Sequence, residues 1–198
     1  NGGNFLHDGT KNILLFGAQF EAGSFPTSYI KTSGSTASRS ADVASIDVDQ
    51  FGYNQSEGTV VVEATMLSGS VGVSHASQAY FGFYKTDQLN RLDAYSDSSS
   101  TITIRDRVAG TNNDATISSV TLTDTNKLAV AFESGAKTAA VLNGGSVSET
   151  SSTTNNATYE TLILGDTQNV DGELNGHIKS ITYTPKRLSN AKLQELTS

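Results

Sequence analysis

The chain has no cysteine and no tryptophan, only two prolines, a single methionine and three histidines. Without cysteine there is no disulfide framework and no thiolate metal site. The absence is neutral about compartment, because a protein made in a reducing cytoplasm and later exposed outside has the same composition. His7, His75 and His177 lie far apart and show no metal-ligand spacing. Charge is also sparse, at 17% of 198 residues, and 13 basic against 20 acidic side chains leave a net charge of −7. That balance disfavours a nucleic-acid backbone or an anionic membrane surface as partner. No apolar run approaches the roughly 20 residues of a membrane helix, so no membrane insertion is expected. No signal-peptide pattern is visible. The sequence opens on Asn1 and its methionine is Met66, so a fragment, a processed product or part of a longer chain is expected.

What fills the composition instead is Ser, Thr, Asn and 18 Gly around short apolar runs, a mixture that suits strands joined by polar turns. Residues 57–66 place Val60, Val62 and Ala64 on one face. In 79–85, Phe81 and Phe83 alternate against Tyr80 and Tyr84. In 91–96, Leu92 and Ala94 alternate against Arg91, Asp93 and Tyr95. Ile102 and Ile104 point inward from 101–106. Further strand candidates are 118–123, 127–134, 137–144, 160–166 and 177–184. Period-two alternation repeated this often predicts an all-β, antiparallel sandwich. Asn143-Gly144 favours positive φ and a tight turn, and the polar run 146–158 predicts an exposed loop.

The two ends depart from this pattern. Residues 1–50 hold one strand-like run (12–23) and a polar, extended stretch (25–46). They are expected to form a connector, or the end of a preceding β domain, ahead of a sandwich over 51–198. Ile13, Leu15 and Phe16 need a partner, either the chain's own sandwich or a neighbouring subunit or domain. At the other end Ile178, Ile181 and Tyr183 lie in a strand that Pro185 stops. Ser189 then caps a short C-terminal helix whose apolar stripe is Leu193 and Leu196.

The closing segment LNGHIKSITYTPKRLSNAKLQELT (174–197) and the stretch KLAVAFESGAKTAAVLNGG (127–145) resemble the concanavalin-A-like, or laminin-G-like, jelly-roll sandwiches. LFGAQFE (15–21), FPTSYIKT (25–32) and RSADVASI (39–46) resemble a junction of bacteriophage tail and virion structural proteins. Together the resemblances imply a tail-fibre or other virion-surface protein with a lectin/glucanase-type domain. Its expected place is the virion surface, on a tail fibre, a spike or the capsid exterior. Its expected role is non-enzymatic recognition of host-surface glycans. Other virion subunits are expected partners, and a homo-oligomer, a trimer by analogy with phage fibres. The alternative is a structural or decoration subunit that makes protein–protein contacts only.

Related sandwiches include glycoside hydrolases, which need two carboxylates at set separation. The Glu-x-Asp-x-x-Glu strand of such enzymes is absent, and Asp87, Asp93 and Asp97 suit solvated turns or sheet edges. There is no Gly-x-Ser-x-Gly elbow and no phosphate-binding glycine loop. No enzymatic activity is therefore expected. For sugar binding, an aromatic face beside planar polar groups is required. Tyr80, Tyr84, Arg91, Asp93 and Tyr95 are the best cluster, provided that 79–85 and 91–96 are adjacent strands. An ordinary outer face with Arg–Asp pairing would look the same. GDTQNVDGE (165–173) offers Asp166, Asp171 and Glu173 as hard oxygen ligands for calcium, alongside Gln168 and Asn169. Asx turn formation is the competing explanation.

Overall fold

The computed structural model describes residues 17–20, 28–37, 44–66, 77–87, 89–96, 100–154, 158–167 and 172–198. The chain divides into two compact units, Asn1–Ser40 and Ala41–Ser198. In the first, the Ile30 amide donates to the Gln19 Oε1 at 2.8 Å. Ile13, Leu15, Phe16 and Asp97 lie outside the described residues.

The second unit is a sandwich. Its strands are β1 (Ala44–Asp47), β2 (Glu57–Met66), β3 (Gln78–Tyr84), β4 (Arg91–Ser96), β5 (Thr101–Val108), β6 (Thr111–Ser118), β7 (Thr125–Glu133), β8 (Ala139–Leu142), β9 (Ser148–Glu149), β10 (Thr161–Leu164) and β11 (Gly176–Thr184). One sheet has the order β1-β10-β3-β4-β5-β6, the other β11-β2-β7-β8-β9. Every neighbouring pair is antiparallel.

The alternation places Val60, Val62 and Ala64 against Phe81, Phe83, Leu92, Ala94, Ile102 and Ile104 in one core between the sheets. At one end of it Phe51, Tyr53, Phe83, Phe132, Tyr159 and Tyr183 form an aromatic cluster, with Tyr53 and Phe83 centroids 4.9 Å apart. Burial of rings this large dominates a core that has no tryptophan.

Several sequence expectations change. Residues 44–50 are not connector: β1 pairs with β10, and Val48–Gln50 form a single 3-10 turn that buries Val48. The strand expected at 118–123 is displaced upstream to β6. Ala109 and Gly110, both at positive φ (49° and 82°), turn β5 directly back on itself, and Ser119 at φ 62° ends the new strand. Such a two-residue turn matches the twist of a hairpin. The loop 146–158 is not wholly exposed either. It carries β9, buries Thr150, and bridges Thr154 to Ala136.

The helix α1 (Asn190–Thr197) begins as expected, with the Ser189 Oγ accepting from the Lys192 amide at 3.3 Å. Leu193 packs on Ala129, Ala131, Ala139 and Val141, the outer face of the five-stranded sheet. Leu196 is exposed; the second inward position is Thr197, one turn past Leu193, whose hydroxyl donates to the Leu193 carbonyl at 2.8 Å.

Candidate functional site

The outer face of the six-stranded sheet gathers most of the polar residues singled out in the sequence. Register places Tyr84, Arg91, Arg107 and Asn112 in one row across β3, β4, β5 and β6. Gly82, Asp93, Arg105 and Asp114 form the next row, and Tyr95, Thr103 and Thr116 the one beyond. Apart from Arg39 and Arg187, every arginine of the chain stands on this face.

The tyrosines do not project from it. Tyr84 and Tyr95 are buried, and Tyr80 belongs to the core between the sheets. A bulge between Ala79 and Phe81 breaks the alternation and turns Tyr80 inward. Tyr84 lies flat on the sheet because Gly82 has no side chain. A Cβ at Gly82 would stand 2.3 Å from that ring. The Tyr84 hydroxyl donates to the Asp93 Oδ2 at 3.4 Å, and burial raises the phenol pKa. Tyr95 lies under Arg105, whose Cζ is 5.2 Å from the ring centroid. An exposed stacking platform of Tyr80, Tyr84 and Tyr95 is therefore not what the chain builds.

The charges are arranged unevenly. Arg105 is held by Asp114 through two bonds, Nε to Oδ1 at 3.0 Å and Nη2 to Oδ2 at 2.8 Å. This fork-to-carboxylate geometry is the strong form of an ion pair, and it raises the Arg105 pKa. Arg91 approaches Asp93 Oδ2 at 3.4 Å through Nε, with side-chain exposures of 16% and 2%. Burial pushes Asp93 up to about 6, against the pull of Arg91 and Arg105. The Nε atoms of Arg91 and Arg107 and the Oδ1 of Asp93 are buried without a hydrogen bond.

Thus Tyr84, Arg91, Asp93 and Tyr95 share one face, and Tyr80 does not. The sequence reading missed Arg105, Arg107 and Asp114. The signal for the arginines was present in TITIRDR (101–107): with Ile102 and Ile104 inward, Arg105 and Arg107 fall outward. The same alternation sends Asp106 inward. There it accepts from the Thr138 Oγ1 at 2.7 Å and from the Thr154 Oγ1, and burial raises its pKa.

Of the calcium candidates, Asp166 follows β10 and Glu173 precedes β11, where the Leu174 amide donates to the Gly165 carbonyl at 2.7 Å. Asp171 lies outside the described residues. Among the described residues no three His, Cys, Asp or Glu side chains form a group that would hold a metal ion.

No protein-family model and no curated protein sequence matches the chain. Solved structures do. The carbohydrate-binding module CBM40 of the Ruminococcus gnavus IT-sialidase, bound to α2,6 sialyllactose, aligns with TM-score 0.59 and 14% identity, over 79% of this chain and 93% of that one. The Streptococcus pneumoniae NanB sialidase aligns with TM-score 0.56 and 20% identity, over 78% of this chain but 27% of its own length. Domains LG4-5 of the mouse laminin α1 chain align with TM-score 0.54 and 8% identity, over 76% of this chain and 41% of that one. The fold is shared. It is the jelly-roll sandwich that the C-terminal sequence resemblance implied.

Proposed function

We propose that the sandwich is a non-catalytic glycan-recognition module, with the outer face of the six-stranded sheet as its binding face. The observation that carries this is the pre-positioned set of Arg91, Arg105, Arg107, Asp93 and Asp114 in adjacent cross-strand rows, on a chain that is acidic overall. Fixed planar hydrogen-bonding groups on a rigid sheet suit vicinal hydroxyls and acid groups of a sugar. The carbohydrate-binding module among the structural neighbours supports the same reading. The acids on the face are each engaged by an arginine, Asp93 by Arg91 and Asp114 by Arg105, which suits orientation of a ligand rather than acid–base hydrolysis.

The junction-like segments 15–21, 25–32 and 39–46 support a place on a phage virion surface, in a tail fibre or spike, as a trimer beside other virion subunits. The saccharide is then one displayed on the host surface. A glycan array with the purified chain, followed by amide chemical-shift mapping of any hit, tests the reading. Shifts are expected at 82–84, 91–95, 103–107 and 112–116. A chain that binds no saccharide, or that shifts only elsewhere, loses this reading to a structural or decoration role.

A further inference from the structure

Arg91 on β4 and Arg107 on β5 are directly opposite in register, so two cationic side chains leave the sheet side by side. Like charges in that relation destabilise a sheet unless something compensates. The counter-charge nearby falls short. Arg105 uses Asp114 in full, and Asp93 makes a single 3.4 Å approach to Arg91. The Arg107 side chain makes neither an ion pair nor a hydrogen bond among the described residues, and the Nε of both Arg91 and Arg107 is buried with its bond unmade. Buried donors normally find acceptors, and two unsatisfied ones side by side call for a shared partner such as water or an anion. A guanidinium fork is matched by the planar carboxylate or by sulfate.

We propose that Arg91 and Arg107 form an anion subsite in this face, taking the carboxylate or sulfate group of an acidic saccharide. The proposal rests on the glycan-binding reading of the face. The rim of the subsite is fixed: the Gly110 amide donates to the Leu89 carbonyl at 2.9 Å, tying the β5–β6 turn to the β3–β4 turn. Leu89 and the Arg107 Nη2 both reach Gly110, at 3.6 and 3.9 Å from the position a Cβ would occupy, so an apolar side chain borders the cationic pair.

Asp93 makes the subsite sensitive to acid. It faces Tyr84 from β3, Arg91 on its own strand and Arg105 from β5, with Asp114 of β6 beyond; Asp166 acts on Tyr84. Its carboxylate and a bound anion compete for Arg91. An added negative charge raises the Asp93 pKa further, so binding takes up a proton and tightens as pH falls through the range where Asp93 protonates.

The test follows the side-chain Nε–Hε resonances of Arg91 and Arg107 while wild type is titrated with sodium sulfate, a glucuronate disaccharide, its neutral methyl ester and a sulfated galactose. Both resonances are expected to shift saturably with sulfate and with at least one acidic sugar but not with the ester; the two acidic sugars separate carboxylate from sulfate. Affinity should be about fivefold tighter or more near pH 5.5 than near pH 7.5. Arg107→Gln should weaken binding about tenfold or more while unfolding at the same or a higher denaturant midpoint, because it removes a like charge. Resonances unmoved by sulfate, an ester that binds as tightly as the acid, or an Arg107→Gln variant that binds like wild type each overturn the subsite. Sulfate binding without any saccharide binding upholds the subsite and removes the glycan reading. Saccharide binding indifferent to charge does the reverse. Should Arg107→Gln fail to fold, the wild-type sulfate titration decides.

Discussion

The two outer faces of the sandwich are finished in opposite ways. On the five-stranded sheet the outward residues of β7 and β8 are Ala129, Ala131, Ala139 and Val141, and α1 lays Leu193 on them. On the six-stranded sheet the outward residues of β4 and β5 are Arg91, Asp93, Tyr95, Arg105 and Arg107. Small side chains leave room for a helix backbone to approach, and burial of one leucine then closes that face. Large charged side chains fill their own space, and their bonding capacity is not used up. One face is spent on stability. The other leaves the Nε atoms of Arg91 and Arg107 and the Oδ1 of Asp93 without hydrogen bonds.

The comparison breaks hardest at Leu193. Leu193→Ala removes a fully buried side chain from the helix-covered face and should cost about 2–5 kcal/mol in denaturant unfolding. Binding on the opposite face, at temperatures where the variant is folded, should stay at the wild-type value. A variant that lost affinity without unfolding would mean the two faces are coupled.

Asp93→Asn sharpens the contrast from the other side. The folded pKa of Asp93, about 6, lies above its unfolded value, so between the two the native state holds more protons and stability falls as pH rises. Above that window the buried carboxylate is a cost that Asn does not carry. Asp93→Asn is expected to be more stable than wild type by up to about 3 kcal/mol near pH 8, with the difference gone below about pH 4. Paired urea titrations at the two pH values measure it. A variant less stable than wild type near pH 8 would show that the ion pair with Arg91 outweighs desolvation.

A smaller effect is expected at the helix start. Ser189→Ala removes the cap on the Lys192 amide and should cost about 1 kcal/mol or less, the bond being long at 3.3 Å. Thermal unfolding followed by far-UV circular dichroism reads it, and the charged face should not respond.

The interior was legible because it depends on alternation alone: Val60, Val62, Phe81, Phe83, Ile102 and Ile104 are where a period of two puts them. The strand β6 escaped because TNNDATIS is an edge strand with little apolar content and was preceded by no recognised turn residue pair; Ala109 takes a conformation that alanine rarely adopts. Outer-face burial was not legible either. Period two says which side a residue faces, not whether its ring stands up or lies down. That Tyr84 lies down follows from Gly82 on its own strand, two residues earlier, and that Tyr80 turns inward follows from a bulge with no local sequence mark. For α1, the step of four from Leu193 to Thr197, rather than the step of three to Leu196, faces the sheet, and polar character at Thr197 hid it.

The aromatic cluster between the sheets also gives the molecule an optical signature. With no tryptophan present, near-ultraviolet absorption and emission come from tyrosine, with phenylalanine beneath it. Tyr53, Tyr80, Tyr84 and Tyr159 are held in environments that oppose ionisation, burial being the main cause in each. Their phenols stay protonated at alkalinities where a free tyrosine has turned into phenolate. Absorbance near 295 nm should therefore rise steeply only where the sandwich opens and exposes these rings. That step is an unlabelled spectroscopic report on the integrity of the fold.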